Sequence, residues 1–80
     1  MLSVNVQYFA ILREQRGLAQ EQLTTAATTP AELYEELRAR HRFTLPADRV
    51  CAAVNDEFVA ATTPLHAGDR VVFIPPIAGG

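Results

Sequence analysis

Leu2, Val4, Val6 and Tyr8 alternate with Ser3, Asn5 and Gln7, the period-2 pattern of a strand with one buried face. Phe9 falls on the other parity, an aromatic where a polar residue is expected. Residues 10–16 fit a short helix, and Gly17 stands where a helix end takes a left-handed residue. A second strand is expected over residues 21–25, centred on Leu23. Thr29-Pro30-Ala31-Glu32 then sets an N-cap, a proline at the first helical position and a capping-box acid in order. These predict a helix over about 30–41 with Leu33, Tyr34 and Leu37 on its buried stripe. Its acids come early and Arg38, Arg40, His41 and Arg42 come late, complementing the helix dipole.

Past Pro46 the pattern returns to β. Residues 50–54 read as a strand, Asn55-Asp56 as a tight turn tolerant of positive φ, and residues 58–60 as the returning strand. Ala67-Gly68-Asp69 marks a loop. Arg70–Ile74 is almost wholly apolar, as expected of a central strand buried on both faces. Pro75-Pro76 removes two amide donors and ends the ladder. The order predicts an α+β domain, one mixed sheet with a main helix across one face, in residues 1–74, followed by an extended tail over 75–80.

Composition narrows the function. The chain is 80 residues long, 49% hydrophobic and 20% charged, with a formal net charge of −2. Seven arginines are scattered with no two adjacent, so nothing forms the basic stripe of a nucleic-acid binder. There is no lysine, hence no side-chain amine on which a polymer of conjugated copies could grow. No apolar run approaches the ~20 residues of a membrane span, and no secretory signal opens the chain. A single cysteine in a small unstapled fold points to a reducing compartment, read here as the cytoplasm.

Side-chain chemistry is sparse. His41 and His66 have no partners at metal-ligand spacing, so no metal site is expected; they read as a helix-end cation and a loop surface residue. Cys51, beside Ala52, Ala53 and Val54, is expected to act as a small buried hydrophobe. Asp56-Glu57 reads as turn chemistry. The remaining candidate is the tail. Its six residues leave a buried strand through a stiff Pro-Pro stem and reach about 20 Å at ~3.1–3.4 Å per residue. Glycine passes a narrow channel and leaves its acyl carbon open to attack. Gly80 is therefore the candidate reacting residue and Gly79 the one that gives clearance. A carboxylate must first be activated, as an acyl adenylate made from ATP, before a sulfur nucleophile displaces AMP and leaves a thiocarboxylate.

Tyr8-Phe9-Ala10, Leu12-Arg13-Glu14, Ala53-Val54-Asn55, Leu65 with Gly68-Asp69, and Val71 through Gly80 together resemble the small subunits of molybdopterin synthase over the full length. The strand, Pro-Pro, aliphatic, small, Gly-Gly ending is the most specific part; Asp56, where glycine is common, departs from the pattern. The resemblance implies a β-grasp (ubiquitin-like) fold and a sulfur-carrier role. An adenylyltransferase of the ubiquitin-activating type would use ATP on Gly80, and a sulfur donor protein would convert it to the thiocarboxylate. The tail would then enter a large subunit that supplies the catalytic pocket, and its sulfur would pass to cyclic pyranopterin monophosphate. The chain itself would bind no cofactor. Two sulfurs per product imply two charged carriers per turnover.

Phe9, Phe58, Ile74, Pro75, Pro76, Ile77 and Ala78 are the expected partner-binding residues, apolar groups around the root of the tail. Phe9 and Phe58 could instead be core. The residues also leave open a carrier for another pathway, such as thiamine synthesis, a protein modifier conjugated through Gly80, and a binding module with an incidental tail.

Overall fold

Residues 1–76 are described by the computed structural model. In chain order they form β1 (Leu2–Tyr8), α1 (Ala10–Arg16), β2 (Gln20–Thr25), α2 (Pro30–His41), a 3-10 turn (Ala47–Arg49), β3 (Cys51–Val54), β4 (Glu57–Val59) and β5 (Arg70–Ile74). The strands make one mixed sheet in the order β2-β1-β5-β3-β4. Only β1 and β5 run parallel, with Tyr8 opposite Phe73; β1–β2, β3–β4 and β3–β5 are antiparallel. This is the expected α+β β-grasp architecture.

The alternation along β1 has its predicted result. Val4, Val6 and Tyr8 are buried, and they share a sheet face with Val71 and Phe73 of β5. Helix α2 covers that face with Leu33, Tyr34 and Leu37, all buried. Phe43, just past α2, stacks near Tyr34 at 5.8 Å between ring centroids and meets Tyr8 edge-on at 5.9 Å. Tyr34 in turn meets Phe73 edge-on at 5.3 Å. Such aromatic pairs add about 0.5–1.5 kcal/mol each beyond their buried area. Val72 is also buried, on the opposite face, so β5 has buried side chains on both faces although α2 covers only one.

Helix α2 starts as expected. Thr29 Oγ1 accepts from the Glu32 N–H at 3.2 Å, and Pro30 opens the helix. The Glu32 carboxylate reaches one residue further upstream than a capping box predicts, accepting from the Thr28 N–H at 2.9 Å and the Thr28 hydroxyl at 3.0 Å. The helix closes on Arg42 in the left-handed region, φ 57° and ψ 46°, whose N–H bonds the Arg38 carbonyl.

Three boundaries and two side chains differ from expectation. β2 begins one residue earlier, at Gln20. Val50 caps the 3-10 turn, so β3 begins at Cys51. β4 is Glu57–Val59 because Val54 pairs directly with Glu57. That register leaves the two-residue turn Asn55-Asp56, with φ 52° and 72°, the type I′ geometry that matches strand twist. Asp56 thus holds the turn that glycine would hold with less strain, and the Arg70 guanidinium pairs with it. Cys51 is exposed rather than buried; its register opposite Ile74 places it on the face that α2 does not cover. His41 does end α2, but burial, followed by the nearby Arg16 charge, lowers its pKa, which disfavours the cation expected there.

Candidate functional site at the root of the tail

Because β5 is the middle strand and ends at Ile74, the chain leaves the sheet from its centre. Pro75 is buried against the body and Pro76 is exposed. Parallel pairing puts the end of β1 beside this exit. There the chain turns abruptly: Phe9 is extended, φ −129° and ψ 154°, and caps α1 without a side-chain hydrogen bond. Ala10 follows with φ 51°, a left-handed conformation costing roughly 1–2 kcal/mol for a residue with a Cβ. The Phe9 carbonyl accepts from the Leu12 N–H at 3.1 Å, closing the first turn. Gly17, φ 84°, ends α1 with its N–H on the Arg13 carbonyl at 2.9 Å, and the Tyr8 N–H then bonds the Ala19 carbonyl at 2.8 Å.

This corner and the tail root enclose an open apolar groove of about 530 Å³ lined by Phe9, Ala10, Ile11, Leu45, Ile74, Pro75 and Pro76. Phe9 is 43% exposed and Ile11 is 38% exposed, side by side in one groove. Of the expected partner-binding residues, the structure brings Phe9, Ile74, Pro75 and Pro76 together here. Phe58 stands apart from the groove. It is 75% exposed on β4, in one cross-strand row with Ala53 and Val72 on the uncovered sheet face. Two strand spacings, roughly 10 Å, separate its strand from β5. The core alternative for both phenylalanines is excluded by their exposure. Ile77, Ala78, Gly79 and Gly80 lie outside the described residues.

The uncovered face divides in two. On β5, β3 and β4 it carries Val72, Ile74, Cys51, Ala53 and Phe58, with Arg70 at the end of β5 away from the tail. On β1 and β2 it carries Ser3, Asn5, Gln7, Gln20 and Gln22. The apolar half is therefore the half continuous with the tail.

A charged cluster sits behind the groove. Glu21 of β2 accepts two hydrogen bonds from Arg16, Nε to Oε2 at 2.7 Å and a terminal nitrogen to Oε1 at 2.8 Å. The Tyr8 hydroxyl donates to the same Oε2 at 2.7 Å. The Arg16 hydrogen bonds hold the Glu21 carboxyl down at about 2, against the opposing effect of burial. Burial and the neighbouring carboxylate push the Tyr8 phenol far above its usual range. Sequence reading missed this cluster, and it missed Ile11 and Leu45. Ile11 carried a signal: an apolar residue at a helix position that the Leu12 stripe does not use. The ion pair carried none, since its members are 5 and 13 residues apart in different elements.

The sequence profile described as the ThiS family matches residues 6–80. The chain belongs to that family. It is similar, at 35% identity, to the molybdopterin synthase sulfur carrier subunit of Mycobacterium tuberculosis (strain ATCC 25618 / H37Rv), with 100% of each chain covered. Identity with the molybdopterin synthase sulfur carrier subunit of Escherichia coli (strain K12) is 32%, covering 96% of this chain and 99% of the relative. Among solved structures, the complex of subunits 1 and 2 of molybdopterin-converting factor from Helicobacter pylori 26695 contains a chain that superposes with a TM-score of 0.68. That chain is 25% identical, with coverage of 99% of this protein and 100% of it.

Proposed function

We propose that this chain is a sulfur-carrier subunit of molybdopterin synthase and that the C-terminal carboxylate of Gly80 carries the sulfur. The observation that carries the reading is the exit of a Pro-Pro stem from the middle strand, directly beside an exposed apolar groove. A body that docks through the groove while a narrow Gly-Gly end reaches forward needs this layout. Full-length similarity to two sulfur-carrier subunits supports it.

In this reading the Gly80 carboxylate attacks the α-phosphorus of ATP on an adenylyltransferase of the ubiquitin-activating type, and pyrophosphate leaves. The terminal sulfur of a persulfide on a donor protein then attacks the acyl carbon, the C–O bond to AMP breaks and a C–S bond forms; a second thiol cleaves the S–S bond to the donor, leaving the thiocarboxylate and a disulfide. The thiocarboxylate is carried into a large subunit, where its sulfur passes to cyclic pyranopterin monophosphate and the glycine carboxylate returns. ATP serves the activating enzyme, and the chain binds no cofactor. The body, 1–74, docks; the tail, 75–80, reacts, with Gly79 giving clearance. Phe9, Ile74, Pro75, Pro76, Ile77 and Ala78 meet the large subunit near the tail, and Phe58 meets it from the sheet. Cytoplasmic placement follows from the need for ATP, and an exposed unpaired thiol at Cys51 fits a reducing compartment.

Intact mass of the protein purified from cells able to charge it tests the reading. A sulfur-for-oxygen exchange mapped to the last peptide, and absent when Gly80 is deleted, is the expected result. Free carboxylate alone, after incubation with ATP, an activating enzyme and a sulfur donor, would refute it.

A further inference from the structure

Helix α1 buries one side chain, Leu12. Apolar packing therefore anchors it at a single point and does not set its tilt, nor the direction in which Phe9 and Ile11 face. Something else must hold them, because the corner leading into the helix is itself strained at Ala10.

Gln15 ties the last turn of the helix to Thr44 through two hydrogen bonds, at 2.9 and 3.2 Å, and a single carboxylate ties both ends of the segment. Tyr8 is the last residue of β1 and Arg16 the last residue of α1. Both donate to the same Glu21 oxygen, each at 2.7 Å. The two ends of the segment that carries the groove's Phe9, Ala10 and Ile11 are thus tied to one atom on β2. Glu21 and Arg16 are only 18% and 23% exposed at the side chain. Burying such a pair is a weak route to stability, and well-packed apolar residues often do as well. Its geometric value is greater: the planar guanidinium grips the carboxylate through two bonds and fixes direction as well as distance.

We propose that Tyr8, Glu21 and Arg16 are positioning residues for partner docking. They preset the β1–α1 corner so that Phe9 and Ile11 already line the groove when the large subunit arrives. The inference rests on the docking role proposed above. Preorganisation of this kind acts by sparing the ordering cost at the moment of binding.

The test compares Glu21→Gln and Tyr8→Phe with wild type and with a control, Thr25→Val. Thr25 lies at the other end of β2, where its hydroxyl bonds Glu36 at 2.9 Å and receives the Ala27 N–H at 3.0 Å. Two readouts are taken: calorimetric affinity for the molybdopterin synthase large subunit of the same organism, and residual dipolar couplings of amides 10–16. Glu21→Gln is expected to weaken binding about tenfold, equivalent to about 1.4 kcal/mol, and to shift or average the α1 couplings. Tyr8→Phe should weaken it by a smaller factor, and Thr25→Val should change neither readout. Wild-type affinity in Glu21→Gln, or equal weakening in the control, overturns the proposal. If the wild-type chain does not bind the large subunit, the docking role fails. The couplings then decide alone: α1 unmoved in Glu21→Gln overturns the clamp, and α1 reoriented upholds it.

Discussion

Replacing Asn55 by alanine should be among the costliest changes to this fold, although Asn55 is exposed and far from the tail. Its backbone sits at φ 52°, which asparagine tolerates and alanine does not, at roughly 1 kcal/mol. Its side chain spans from the hairpin to the start of β5. The Asn55 Nδ2 donates to Asp69 Oδ1 at 3.0 Å, and its Oδ1 accepts from the Arg70 N–H at 3.0 Å. Asp69 is nearly buried and also accepts from the His66 N–H at 2.8 Å. Removing a donor from a largely buried carboxylate costs about 2 kcal/mol. The sum is about 3 kcal/mol, against a total stability of roughly 4–12 kcal/mol for a domain of this size. Urea denaturation followed by circular dichroism should show a midpoint lowered by about 2–3 M, for an m-value near 1 kcal/mol/M. Asn55→Gly separates the two parts, since glycine accepts the backbone angle but lacks the amide; it should recover about 1 kcal/mol. Equal midpoints for the alanine and glycine variants would refute the backbone part. A loss under 1 kcal/mol in both would refute the network.

Other expectations follow from single residues. Arg42→Gly should stabilise the protein by about 1 kcal/mol, because glycine occupies the left-handed helix cap at φ 57° without strain; thermal melting reads it directly. Leu12→Ala should destabilise by about 2–5 kcal/mol, since Leu12 is the one buried anchor of α1, and hydrogen exchange should quicken first in amides 10–16. Phe58→Asp should leave the melting temperature unchanged, because the ring is 75% exposed, yet weaken large-subunit binding; undiminished affinity removes Phe58 from the interface. The Glu21 carboxyl is depressed in the folded state, from 4.5 to about 2. Its stabilising effect is therefore complete above pH 4.5 and lost as pH falls toward 2. The melting temperature should fall with pH across that window in wild type and fall less in Glu21→Gln.

Much of the fold could be read because its local signals agree with one another. The Thr29-Pro30-Glu32 start, the alternation of β1 and the unbroken apolar run of β5 each report a local cause that tertiary packing then reinforces. The boundary slip at Glu57 came from pairing register, which is a property of two strands and is not visible in either alone, and the slip at Val50 came from the 3-10 turn that Val50 caps. Cys51 was misread for the same reason. Its apolar neighbours suggested burial, but only the register opposite Ile74 shows that it lies on the uncovered face. Phe9 and Phe58 were legible as anomalies, by parity and by their place beside a polar turn. The Tyr8–Glu21–Arg16 cluster was not, because it joins three elements whose approach the topology alone decides.

Among the described residues, the last strand in chain order is the one at the centre of the sheet. A chain terminated before Arg70 lacks the partner of both β1 and β3, and its two halves have no edge in common. Such a product is an unfolded chain open to proteolysis, not a folded body without its tail. Incomplete synthesis therefore yields no decoys able to occupy a partner's docking surface.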